Sequence, residues 1–135
     1  IFEMTEKAEH AAIAPRNPGG LSHGERAALA CRVARINDEP ALAAHFEKRL
    51  AATLQGPSAI VDPTFDGGTD TRMAAIVRHT DRVTRNPKAV SAADIDALTD
   101  AGISEDDIVR LSQLVAFVNY QARVSRGVRL MAEAS

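Results

Sequence analysis

Two helices in series, running from Leu21 to Leu50 (LSHGERAALACRVARINDEPALAAHFEKRL), constrain this chain more than any other part of it. Ser22 with Glu25 forms an S-x-x-E capping box: the serine oxygen accepts the N3 amide, and the glutamate reaches back to the cap amide. Such a cap is worth about 1 kcal/mol, enough to set where a helix begins. Leu29, Val33 and Ile36 follow at helical spacing, and Ala27, Cys31 and Ala34 fall on roughly the opposite side. Bulky apolar groups on one side and small ones on the other suit a helix covered from both. Arg32 and Arg35 are left to reach solvent or partner carboxylates. Beyond the polar hinge Asn37-Asp38-Glu39, Pro40 cannot sit in a helix interior but suits the first turn of a new one. That second helix turns Leu42, Phe46 and Leu50 inward and stops at Gln55-Gly56-Pro57.

The flanking chain carries the same kind of signal. Residues 1–14 read as the tail of a helix, and 15–20 (PRNPGG) as a turn-rich connector. From Gly56 to Thr71, prolines, glycines and aspartates predict a long loop, pinned by Ile60, Val61 and Phe65, with Gly67-Gly68 as a turn. Asp70 or Thr71 caps a third helix bearing Met73, Ile76, Val77, Thr80 and Val83, closed by Asn86-Pro87. Ser91 with Asp94 starts a short helix ending at Gly102, and Ser104 with Asp107 repeats the device. A final helix runs from about Glu105 to about Ala132. Its stripe of Ile108, Leu111, Leu114, Val115, Val118, Ala122 and Val128, flanked by Phe117 and Leu130, repeats at threes and fours. At 1.5 Å per residue it is about 40 Å long, so part of it is expected to line the core and part to meet a neighbouring subunit. No segment alternates between hairpin turns as a strand would. The expected fold class is all-α, in one domain over 1–135 with its core in 21–135.

Composition removes several functions. A net charge of −2 gives no electrostatic reason for nucleic acid or an anionic membrane as partner, and 4% aromatics with no Trp leave no base-stacking platform. No apolar run reaches membrane-spanning length and no signal peptide is visible. A single cysteine allows neither an internal disulfide nor a Cys-rich zinc site and fits a reducing, cytoplasmic setting. The chain opens on Ile1 and Phe2 rather than Met, so further sequence is expected before it.

Two segments carry a family resemblance: L-S-x-x-E-R-x-A-L-A-x-R-V-A-R-I-N over Leu21–Asn37 with Leu42-Ala43-Ala44-His45, and Gly102-Ile103-Ser104 with Asp107-Ile108 followed by Ala116 to Val124. The sequence resembles the alkylhydroperoxidase D-like, or carboxymuconolactone decarboxylase, domain family, in its peroxidase-related subset. That resemblance implies an all-helical fold and assembly as a dimer, trimer or hexamer. Redox-active members carry C-x-x-C at the hinge, a His shortly after it and a Glu one helix earlier; thiolate attacks peroxide, a second thiol resolves it, and Glu and His move the protons. Here the hinge reads Asp38-Glu39-Pro40-Ala41-Leu42 without either cysteine. His45 matches the family His across a one-residue gap, and Glu25 stands close to the expected Glu. The two-thiol cycle is therefore excluded.

The candidate catalytic residues are His45, Glu25 and Glu39. Histidine exchanges protons near neutral pH, so His45 can act as general acid/base or bind an anion; a boundary His bonded to backbone or carboxylate is the plainer account. Capping explains Glu25, and a favourable helix dipole explains Glu39 and Asp38 at the next helix start. Arg123, near Asn119 and Tyr120 on the last helix, is placed to pair with a hinge carboxylate or to make an intersubunit contact. Cys31, the lone thiol, is either a one-cysteine peroxidatic residue or a small apolar group on an alanine-rich face. No cofactor is implied, and no metal, because His10, His23 and His79 lack a second ligand at metal spacing. Three functions follow: acid/base chemistry on a small acid or lactone through His45, residual peroxidase activity through Cys31, or a non-catalytic oligomeric module that binds a small molecule. The first expects His45 in a pocket beside Glu39 or Arg123.

Overall fold

Every predicted cap marks a helix boundary in the computed structural model, which describes residues 2–55 and 58–134, without the side chains of residues 2–5. Among the described residues six α-helices form: α1 (Phe2–Ile13), α2 (His23–Ile36), α3 (Pro40–Ala51), α4 (Thr71–Arg85), α5 (Ala92–Asp100) and α6 (Glu105–Ala134). Among the described residues there is no strand. The Ser22–Glu25 capping box closes in both directions, with each contact at 3.1 Å. Asp70 accepts the Met73 amide at 3.0 Å, and the Asp94 carboxylate accepts the Ser91 amide at 2.7 Å. Only half of the last box forms. Ser104 Oγ accepts the Asp107 amide, while the Asp107 carboxylate turns to the Gly20 amide and Arg110.

The fold is organised around α2, whose residues from Arg26 to Ala34 are all buried. It packs against α3, α6, α4 and a short 3-10 turn at Ala59–Val61; α1 lies on α2 and α6, and α5 on α4 and α6. Two arginines inside this core tie down the loops. Arg26 donates to the carbonyls of Leu21, Ala12 and Pro18, at 2.8, 2.9 and 2.7 Å, and so fastens the PRNPGG connector. Arg32 forks onto the Asp81 carboxylate at 2.7 and 2.6 Å and donates to the carbonyls of Ile60, Asp62 and Pro63. A guanidinium has five donors in a fixed plane, and here the whole fan is matched to acceptors.

Several details differ from the sequence reading. Arg32 meets a partner carboxylate, one of the two outcomes expected, but does so from inside the core, while Arg35 reaches the surface and pairs with Glu47. The loop after α3 is held by Arg32 as much as by buried Ile60 and half-buried Val61 and Phe65. Gly67 passes so close to α4 that a Cβ would sit 2.3 Å from the Ala74 Cα. Helix α3 ends at Ala51, ahead of Gln55-Gly56-Pro57, of which Gly56 and Pro57 lie outside the described residues. The stripe of α6 is buried from Ile108 to Ala122, but Val128 and Leu130 are exposed. Around them Arg126 and Arg129 still reach the α2–α3 hinge, so one side of this stretch is held while Val128 and Leu130 face away from it.

Candidate functional site

The hinge between α2 and α3 is a Schellman turn. The Asp38 amide donates to the Arg35 carbonyl and the Glu39 amide to the Ala34 carbonyl, both at 3.0 Å. This turn needs a left-handed residue, and Asp38 supplies it at φ 55°. Asn37 Nδ2 donates to Asn119 on α6 at 2.9 Å, and Arg126 donates to the Asn37 carbonyl at 2.8 Å. Glu39 stands at the N-cap of α3, but its side chain caps nothing. Its carboxylate is only 5% exposed and points along α6, with Oε2 2.8 Å from Arg129 Nη1 and Oε1 3.6 Å from Arg126 Nε. Oε1 has no hydrogen-bond partner. The arginines that meet the hinge carboxylate are thus Arg126 and Arg129, one and two turns beyond the expected Arg123.

His45 lies on α3 with its ring 47% exposed, edge-on to buried Phe46 at 5.2 Å between centroids. Its Nε2 is 2.8 Å from Oε1 of Glu9, a carboxylate of α1 that is only 10% exposed. The same carboxylate accepts from Arg49 Nη1 at 3.0 Å and from Gln121 Nε2 of α6 at 3.3 Å. Three helices therefore converge on Glu9. Beside the cluster runs an open groove of about 1110 Å³ that also carries Lys7, His10 and Arg16. In place of Glu39 or Arg123, His45 meets Glu9, whose carboxylate Gln121 also reaches. Neither was visible as a candidate in the sequence: they stand 36 and 112 residues from their partners, with no motif around them.

Glu25 is held by the capping box and by Arg72 of α4, whose guanidinium meets both carboxylate oxygens at 2.7 and 3.1 Å. Burial pushes its pKa up, but Arg72 and the Ser22 amide outweigh this and hold the carboxyl below its ordinary range. Among the described residues no hydrogen bond or ion pair joins any two of His45, Glu25 and Glu39. Cys31 is 0% exposed; its thiol donates to the Ala43 carbonyl at 3.5 Å, and burial raises its pKa against the pull of Arg35. A peroxidatic cysteine needs a thiolate and access; here burial closes the access and disfavours the thiolate. Among the described residues no group of His, Cys, Asp and Glu could hold a metal, and no helix is long and apolar enough to cross a membrane.

No protein-family model and no curated protein matches the sequence. Solved structures do. An uncharacterized peroxidase-related protein from Silicibacter sp. TM1040 superposes at a TM-score of 0.74 and 20% identity, over 93% of this chain and 66% of its own. A second, an alkylhydroperoxidase AhpD core and uncharacterized peroxidase-related protein from Ralstonia eutropha JMP134, gives 0.67 and 20%, over 93% and 67%. The chain has an AhpD-like fold. It spans about two thirds of the length of each of these proteins. In this AhpD-like chain the hinge carries a carboxylate anchored by α6, the thiol is sealed in the core, and the half-exposed His45 rests on a buried glutamate.

Proposed function

We propose that this chain is an alkylhydroperoxidase D-like, carboxymuconolactone decarboxylase-related protein that works without paired thiols. It performs acid/base chemistry on a small acid or lactone, with His45 as the proton carrier. The contact that carries the reading is His45 Nε2 on the buried Glu9 carboxylate at 2.8 Å. A carboxylate bonded to one ring nitrogen holds the proton there and leaves the other nitrogen, Nδ1, with a free lone pair. That is the arrangement of an oriented general base. Lys7, Arg16 and Arg49 line the same groove and would receive the carboxylate of an acid substrate. In this reading Glu25 and Glu39 hold the scaffold and Cys31 takes no part. The lone reduced thiol favours a cytoplasmic setting.

The test is to follow decarboxylation or ring opening across a panel of small β-keto acids and γ-lactones. His45→Gln is expected to lower turnover by roughly 100-fold or more, and Glu9→Gln by less, with helix content unchanged. No turnover across the panel, or turnover that survives His45→Gln, removes the reading.

A separate observation favours self-association. Val124 and Val128, one turn apart on one face of the second half of α6, are exposed. Two apolar side chains on one helix face are better buried against another copy than left in water. We infer that copies meet there.

A further inference from the structure

A cleft of about 580 Å³ lies between α4 and α5, and it shares no residue with the His45 cluster. Its walls include Ala74, Ala75, Ala93 and Ala97, so they are apolar and leave room. His79 of α4 also lines it and is only 6% exposed. The ring's Nδ1 is sealed from solvent, and among the described residues neither ring nitrogen has a hydrogen-bond partner. A sealed N–H without an acceptor costs more than a sealed lone pair, so the neutral ring carries its proton on Nε2. With Nδ1 sealed, Nε2 is the ring nitrogen left to reach the cleft that His79 lines.

The charges around the cleft are unevenly matched. Arg82 pairs with Asp94 at 3.1 Å, and Asp94 also accepts the Ser91 amide. Arg78 lines the cleft, is exposed, and has no ion-pair or hydrogen-bond partner among the described residues. Asp100, at the C-terminal end of α5, is the other charge on the lining. One free guanidinium, one inward ring N–H and alanine walls together fit an anionic head on a short apolar body.

We propose that the α4–α5 cleft is a binding site for a small carboxylic acid, its carboxylate held by His79 Nε2–H and Arg78 and its hydrocarbon part laid against the alanines. A carboxylate bound in the cleft would accept from Nε2–H, giving the ring its one hydrogen bond, while the sealed Nδ1 keeps only a lone pair. A planar carboxylate can take a charge-assisted bond from the guanidinium at the same time. The site is separate from the His45 groove, and neither depends on the other.

The test uses the whole chain, labelled with nitrogen-15, titrated with butyrate, benzoate and benzamide while backbone amide resonances are followed. Both carboxylates are expected to shift Ala75, Ala93 and Ala97 in a saturable way, and neutral benzamide to leave them unmoved. Arg78→Gln, an exposed change that leaves the core intact, is expected to weaken benzoate binding roughly tenfold, the loss of one charge-assisted hydrogen bond. His79→Gln is expected to weaken it as well. The proposal is overturned if no cleft resonance moves at tens of millimolar, if benzamide acts like benzoate, or if Arg78→Gln binds benzoate unchanged. It is overturned equally if benzoate moves only residues around His45, such as Ala11 and Ala44.

Discussion

At the scale of single residues, the sharpest feature is Arg32, a cation with 1% of its side chain exposed, facing a carboxylate that keeps 18%. It also holds three loop carbonyls, so its removal leaves Asp81 without a counter-charge and those carbonyls without a donor. Arg32→Leu is expected to cost about 3–5 kcal/mol, read as a lower urea midpoint at unchanged slope. A loss under about 1 kcal/mol would mean that water replaces the guanidinium. His79 makes a different prediction. Burial lowers its pKa below the ordinary value of 6.5, and Asp94 across the cleft restores part of the difference; Arg78 and Arg82 also face that space. Between the lowered pKa and 6.5 the unfolded chain binds more protons than the folded one. Stability therefore rises with pH through that window and falls as pH drops below 6.5. Unfolding curves at pH 5 and pH 7.5 should differ less for His79→Gln than for the parent; an equal difference would sink the assignment.

Helix ends show how much can be read along the chain at the scale of elements. Helices α2 and α5 finish in the same Schellman geometry, with Gly102 at φ 87° in one and Asp38 at φ 55° in the other. A left-handed conformation suits glycine and costs an L-residue roughly 1–2 kcal/mol, less for Asp than for most. Gly102→Ala should thus destabilise by about 1 kcal/mol, although a Cβ there meets nothing within 4 Å. Asp38→Gly should be neutral or stabilising by up to about 1 kcal/mol. Thermal melts of both variants check the pair; a destabilised Asp38→Gly would assign the aspartate a role beyond turn geometry. Capping boxes, the Pro40 start and Gly102 were all legible because each is settled by residues within one turn. The Gln55-Gly56-Pro57 stop was misplaced for the same reason: α3 ends where its packing ends, earlier than the first strong breaker.

On the scale of the whole molecule, the decisive fact is that α6, about 45 Å long over its 30 residues, is longer than the core beneath it. Its first half closes the bundle, and its second half anchors the hinge through Arg126 and Arg129 while leaving Val128 61% exposed. If copies associate there, Val128→Asp should shift mass in light-scattering chromatography toward the monomer, with the thermal melt of the monomer preserved. An unchanged mass would place the contact elsewhere or remove it.

The helical fold class and most helix boundaries followed from local chemistry: caps, apolar period and one proline. Only the tertiary structure decided which charges meet, because the pairs are distant in sequence: Glu9 with His45 across 36 residues, Glu39 with Arg129 across 90, Arg32 with Asp81 across 49. The physical reason is common to all three. A charge inside a fold must find its opposite wherever packing brings one, and packing is a property of the assembled helices that no single helix carries in its own sequence.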